Sequence, residues 1–186
     1  MRISTARGVE LIRTAKDRGL PITASTTWMH LLLNTSDVAS YDPNLRLEPP
    51  LGTPTDQAAL IAAVQSGIID AIAVDHSPHT YEDKTVPFAE APPGAIGLEL
   101  ALPLLWQTLV APGHWSALDL WQALSTRPAR CLGQSPATIA PGQTAEVILF
   151  DPHHTWQVTP TTLQSLSSNT PWQGKMVTGR VAIGNS

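Results

Sequence analysis

Residues Ile69–Val74 read Ile-Asp-Ala-Ile-Ala-Val, a nearly continuous apolar run, and it stops on Asp75-His-Ser-Pro-His79. A strand that alternates has one wet face. A strand apolar on successive residues is buried on both faces, which is the signature of a parallel sheet covered by helices. The run follows a helical pattern. Pro54 and Asp56 open it, Leu60, Ile61, Val64 and Ile68 supply its apolar stripe, and Gly67 ends it. The same helix-then-strand order occurs earlier. Val9, Ile12 and Ala15 share a helical face, Gly19 and Pro21 stop the helix, and Pro21–Thr26 reads as a short strand. Met1–Thr5 carries no evident starting turn.

Beyond Val74 the spacing predicts a long irregular loop over Asp75–Pro93. A helix follows through Leu98, Ala101, Leu102, Leu105 and Leu109, then another over Ser116–Leu124 and a third around Arg127–Cys131. The Pro-rich stretch Tyr41–Gly52 has room for a short strand at Leu45–Leu47. The last third changes character, with strands expected at Thr144–Phe150, Trp156–Val158 and Lys175–Ile183. The expected architecture is therefore α/β: residues 1–135 as part of a (β/α) barrel and residues 136–186 as a β-rich segment. Roughly four strand–helix units are present where a closed barrel needs eight. The chain is expected to be the C-terminal portion of a larger fold, or to pair with another chain.

Composition narrows the function. In 186 residues, 11 Lys+Arg stand against 15 Asp+Glu for a net charge of −4, which disfavours nucleic acid or an anionic membrane as partner. One cysteine leaves no disulfide framework, and with no secretory or membrane-spanning signal the expectation is cytoplasmic. Charged residues are 14% of the chain, well below the usual quarter, so much of the surface must be neutral or apolar. That surface is either an interface or an exterior rich in Gln, Thr and Ser.

An apolar strand ending in Asp75 places an ionisable group at the C-terminal mouth of a barrel, where such folds keep their chemistry. There Asp75 can ligate a divalent metal and exchange a proton with bound water, and His79 can hold an anionic substrate group. The alternative is a helix-capping Asp75 beside solvated histidines. His30 lies just past the Pro21–Thr26 strand on the same side; it is either a zinc ligand or a packed histidine among Trp28, Met29 and Leu31–Leu33. His114, His153 and His154 read as loop residues. Cys131 reads as a small buried hydrophobe and the tryptophans as packing residues.

Val74-Asp-His-Ser-Pro-His79, Pro87-Phe-Ala-Glu-Ala-Pro-Pro-Gly94 and Gly97–Leu105, with Ser125–Ala129, Gly142, Asp151-Pro152 and Asn169-Thr-Pro171, resemble the C-terminal half of bacterial dihydroorotases of the amidohydrolase superfamily. The resemblance implies the C-terminal half of a TIM-type (β/α)8 barrel, with C-terminal strands of a small β-sandwich domain. It implies zinc and the interconversion of N-carbamoyl-L-aspartate and dihydroorotate in pyrimidine synthesis. It fits hydantoinases or allantoinases less well. It implies Asp75 as metal ligand and proton shuttle, His30 as metal ligand, and His79, Pro93 and Gly94 at the substrate carboxylate.

The chain departs from that pattern at several positions. Arg2 stands where the family has a metal-ligating histidine, Met29 where a second histidine is usual, Glu48 where an asparagine is expected, and Gly52 where an arginine is usual. The strand-one His-x-His and the strand-four carboxylate belong to the half not in this chain. Guanidinium cannot ligate zinc, so the chain alone is expected to bind zinc weakly or not at all and to show no cyclase activity. A catalytically inactive homologue, acting as a homo-oligomeric or aspartate transcarbamoylase-associated structural partner, is the competing expectation.

Overall fold

The computed structural model describes residues 1–142 and 147–182. Helix α1 (Ala6–Asp17) starts where Thr5 Oγ1 accepts the N–H of Gly8, so the missing starting turn is in fact a side-chain cap. It buries Val9 and Ile12. Strand β1 (Ser25–Thr27) leads directly into α2 (Trp28–Leu32). Helix α3 (Pro54–Gln65) carries a capping box between Thr53 and Asp56, has Pro54 at its first position, and buries Leu60, Ala63 and Val64. Strand β2 is Ala71–Ala73.

β1 and β2 pair in parallel, Ser25 opposite Ala71 and Thr27 opposite Ala73. The first residues add a third parallel segment on the other side of β1. Ile3 N donates to Ser25 O and Ser25 N to Met1 O, each at 2.8 Å. Arg2, β1 and β2 thus lie side by side in sequence order. Helices separate each segment from the next, as parallel strands require, and α1 packs on α3. The Asp70 carboxylate ties this layer together. It accepts from Lys16 Nζ at 2.7 and 2.8 Å and from Ala24 N at 2.8 Å, joining the end of α1 to the starts of both strands.

Beyond β2 the expected irregular loop contains one helical turn, α4 (Tyr81–Lys84), capped by Thr80. Helix α5 (Ala101–Leu105) continues as a π-helical turn over Trp106–Val110. Leu98, expected on its apolar face, precedes the helix and is exposed. Helix α6 (Ala117–Trp121) runs through a π-helical turn at Gln122–Thr126 into α7 (Arg127–Cys131), so the two helices expected here form one run of chain. β3 (Leu149–Gln157) and β4 (Met176–Ala182) pair antiparallel, and α5 packs against β4. The Trp156 indole donates to Gly179 O at 2.9 Å beneath the Arg180 guanidinium. Trp28 stacks on Trp172 with ring centroids 5.0 Å apart, joining the mouth-side helix α2 to the segment before β4.

Several expectations change. Leu45–Leu47 is not a strand: Pro43–Leu45 is a 3-10 turn, set by Pro43 behind the Asp42 side chain, which accepts from Asn44 N. Trp156 belongs to one long strand with Leu149, not to a separate short one. His153 and His154 lie within that strand, where the register slips between Asp151 and Thr155 beside Pro152. Cys131 is half-buried rather than core. The expected strand residues Thr144–Glu146 and Ile183 lie outside the described residues. Among the described residues no helix is long and apolar enough to cross a membrane.

Candidate active-site mouth

The C-terminal ends of the parallel segments converge on one cavity of about 260 Å3, lined among others by Arg2, Thr27, His30, Glu48, Asp75, Ser77, Pro93 and Gly94. Of the predicted site residues, His30, Asp75, Pro93 and Gly94 line it together. His79 stands behind Pro93 and Gly94, its Nε2 3.1 Å from the Pro93 carbonyl. His76 turns away, its Nδ1 accepting from Gly97 N.

Asp75 is paired. Its Oδ1 lies 2.8 Å from Arg2 Nη2, with both side chains about two-fifths exposed. The same guanidinium donates through Nη1 to the main-chain carbonyl of Glu48 at 3.2 Å. Arg2 thus bridges the first parallel segment, the end of β2 and the Leu47–Pro50 wall. Asp75 does not cap a helix; its carboxylate serves this ion pair.

His30 is buried on α2 with both ring nitrogens engaged. Nε2 lies 3.1 and 3.2 Å from the carbonyls of Pro49 and Pro50, which can only accept, so Nε2 carries the proton. Nδ1 then accepts from the Thr27 hydroxyl at 2.6 Å. Burial holds the imidazole below its ordinary pKa, outweighing the two carbonyls that favour its cation. The ring is neutral, and its single lone pair is already committed to a hydrogen bond.

The loop after Asp75 is built differently from the Arg2, Asp75 and His30 side of the cavity. The loop carrying Ser77 and His79 is held by Asn169, whose Oδ1 accepts from His79 N at 3.1 Å and whose Nδ2 donates to Ser77 O at 2.9 Å. The Ser167 hydroxyl also donates to the His79 carbonyl. Gly94 sits at φ +110°, where a Cβ would stand 2.5 Å from Ser77 Cβ, so the loop closes over a position only glycine fills. In the sequence, Asn169 stands out only within Asn169-Thr-Pro171. Its clamp spans some ninety residues, and no local pattern carries that.

These residues do not fit a zinc ion. Zinc takes neutral imidazole and free carboxylate as donors. Here the imidazole lone pair is held by Thr27, and the Asp75 carboxylate is held by a permanent cation. Among the described residues no three His, Cys, Asp or Glu side chains are gathered as a metal would need.

No protein-family model matches the chain. It is 52% identical, over its whole length, to a probable dihydroorotase-like protein of Synechocystis, covering 43% of that protein. It is 44% identical to the dihydroorotase of Mycobacterium tuberculosis over 91% of its length, covering 40% of that enzyme. The chain thus spans about two-fifths of the curated relatives it matches. Among solved structures it superposes on the L-hydantoinase of Arthrobacter aurescens with a TM-score of 0.87 and 28% identity, covering 96% of this chain and 41% of that one. The dihydropyrimidinase of Brevibacillus agri gives 0.85 and 26%, with 97% and 41% covered. By sequence the relatives are dihydroorotases, and by shape they are the wider group of cyclic amidohydrolases. Over the length it has, the chain belongs to the dihydroorotase-like members of the amidohydrolase superfamily.

Proposed function

We propose that this chain is the C-terminal half of a dihydroorotase-like (β/α)8 barrel, residues 1–135, followed by strands of a small β-sandwich domain in 136–186. In this reading the protein keeps the substrate-facing loop of a dihydroorotase and lacks metal-dependent turnover through these residues. The observation that carries it is the 2.8 Å ion pair between Arg2 and Asp75. A carboxylate bound to a guanidinium is neither a free metal ligand nor a free base, because guanidinium stays charged at any working pH. The role that remains is structural or regulatory, in the cytoplasm, with a second copy or aspartate transcarbamoylase as partner. The scarcity of charge supports an interface.

The test is an assay of the complete protein, zinc added, for interconversion of carbamoyl aspartate and dihydroorotate. Wild type and an Asp75→Ala variant are both expected to show no turnover above the buffer blank. Zinc-dependent turnover that Asp75→Ala abolishes would overturn the reading.

A second reading, a working cyclic amidohydrolase using zinc held partly by residues outside this chain, is favoured by one observation. The Asp75–His79 loop is intact, and His79 is clamped against Pro93. In that case turnover appears in the same assay.

A further inference from the structure

The two groups that Arg2 joins are both oxygens, the Asp75 carboxylate and the Glu48 main-chain carbonyl. One positive group lies between them, within hydrogen-bond distance of each. A hard divalent cation uses this kind of donor pair, completing its shell with further oxygens and water. Glu48 and Ser77 line the same cavity.

We infer that Arg2 is the resident cation of this mouth: tethered to the first parallel segment, it occupies the oxygen pair and makes the site refractory to divalent metal. The exclusion belongs to residue 2 and not to the fold. A bound metal exchanges with solvent and can be chelated. A guanidinium on the main chain does neither, and it cannot lose its charge by deprotonation. The Asp75 charge is therefore balanced permanently, and the Leu47–Pro50 wall stays docked whatever the metal supply. This inference rests on the proposal that the site is not a working metal centre, and it goes further by assigning the cause to one side chain.

The test is Mn2+ binding to the complete protein, read by electron paramagnetic resonance of the free ion and by calorimetry. Five forms are compared: wild type, Asp75→Asn, Arg2→Ala, Arg2→Lys and the double variant Arg2→Ala with Asp75→Asn. Wild type and Arg2→Lys are expected to show no saturable binding that depends on Asp75. Arg2→Ala is expected to bind at least about tenfold more tightly than wild type, because it frees an oxygen pair suited to such ions. The double variant is expected to lose that gain.

Binding by wild type that Asp75→Asn removes would overturn the inference. So would an Arg2→Ala variant with native circular dichroism and no gain in Mn2+ affinity. If Arg2→Ala fails to fold, Arg2→Gln, which retains a hydrogen-bond donor but no charge, replaces it with the same expected gain. Catalytic turnover that survives Asp75→Asn would remove the non-catalytic reading and leave this inference standing, since the readout is metal occupancy at Asp75.

Discussion

The Asn169 side-chain oxygen accepts the main-chain N–H of His79 at 3.1 Å, and its amide nitrogen donates to the Ser77 carbonyl at 2.9 Å. One nearly buried side chain thereby fixes two points of the loop that carries Ser77 and His79, from the far side of the sequence. Replacing it with alanine leaves two part-buried loop groups without this partner. Asn169→Ala is expected to cost about 1–3 kcal/mol, measured by urea unfolding. It is also expected to broaden the His79 imidazole resonances. A variant as stable as wild type would show that the clamp contributes nothing.

Asp56 joins two helix starts. Its carboxylate accepts from Thr53 N and Thr53 Oγ1, and its other oxygen accepts from Ala6 N at 2.7 Å. Those hydrogen bonds, the one from Ala6 foremost, hold its carboxyl below the usual 3.8. A carboxyl whose pKa is depressed on folding contributes stability above its unfolded value and loses it as pH falls through the folded one. The contribution should therefore be intact at neutral pH and fade below 3.8. Asp56→Ala is expected to lower stability by about 1–2 kcal/mol, as for a lost N-cap, and to flatten the acid limb of the pH–stability profile. Equilibrium denaturation at pH 7 and pH 3 checks both points.

His30 obeys the same sign in a different range. Burial lowers its pKa from 6.5, so the unfolded chain takes up a proton before the folded one does. Stability supplied by the neutral ring is present above 6.5 and is lost as pH drops below it. His30→Gln is expected to remove this dependence, seen by comparing unfolding midpoints at pH 7.5 and pH 5.5. In wild type the Nε2 proton, held by two carbonyls, should exchange slowly enough for its NMR signal to be seen at neutral pH.

Trp172→Ala should be among the costlier substitutions, about 3–5 kcal/mol for a buried aromatic. The ring is stacked on the fully buried Trp28, next to the His30 helix. Thermal unfolding measures the loss. A shift within that of an exposed residue such as Leu166 would show that the stack bears no load.

The parts of this fold written in local pattern were readable. The stripe of Leu60 and Val64, the opening of α3 at Pro54 and Asp56, and the apolar strand before Asp75 each follow from spacing over a turn or two. The site residues His30, Asp75, Pro93 and Gly94 were readable as a set only through a resemblance, because the chain brings them together across tens of residues. What the sequence did not reveal was how each one is occupied. Nothing local tells that the lone pair of His30 goes to Thr27, that Arg2 spans Asp75 and the Glu48 carbonyl, or that Asn169 holds the loop. His153 and His154 were misplaced for the same reason. Their strand is made by pairing with β4, while the local Asp151-Pro152 pair signals a turn.

Gly97 has no side chain where the Asp75 carbonyl oxygen passes, and a methyl group there would overlap that oxygen. Gly97 is not itself a lining residue of the cavity, yet any larger residue there would displace the Asp75 backbone. Evolutionary freedom at the mouth is therefore bounded from behind. Libraries that vary only the visible lining will explore ligand chemistry, whereas a single change at 97 would re-aim the whole wall at once.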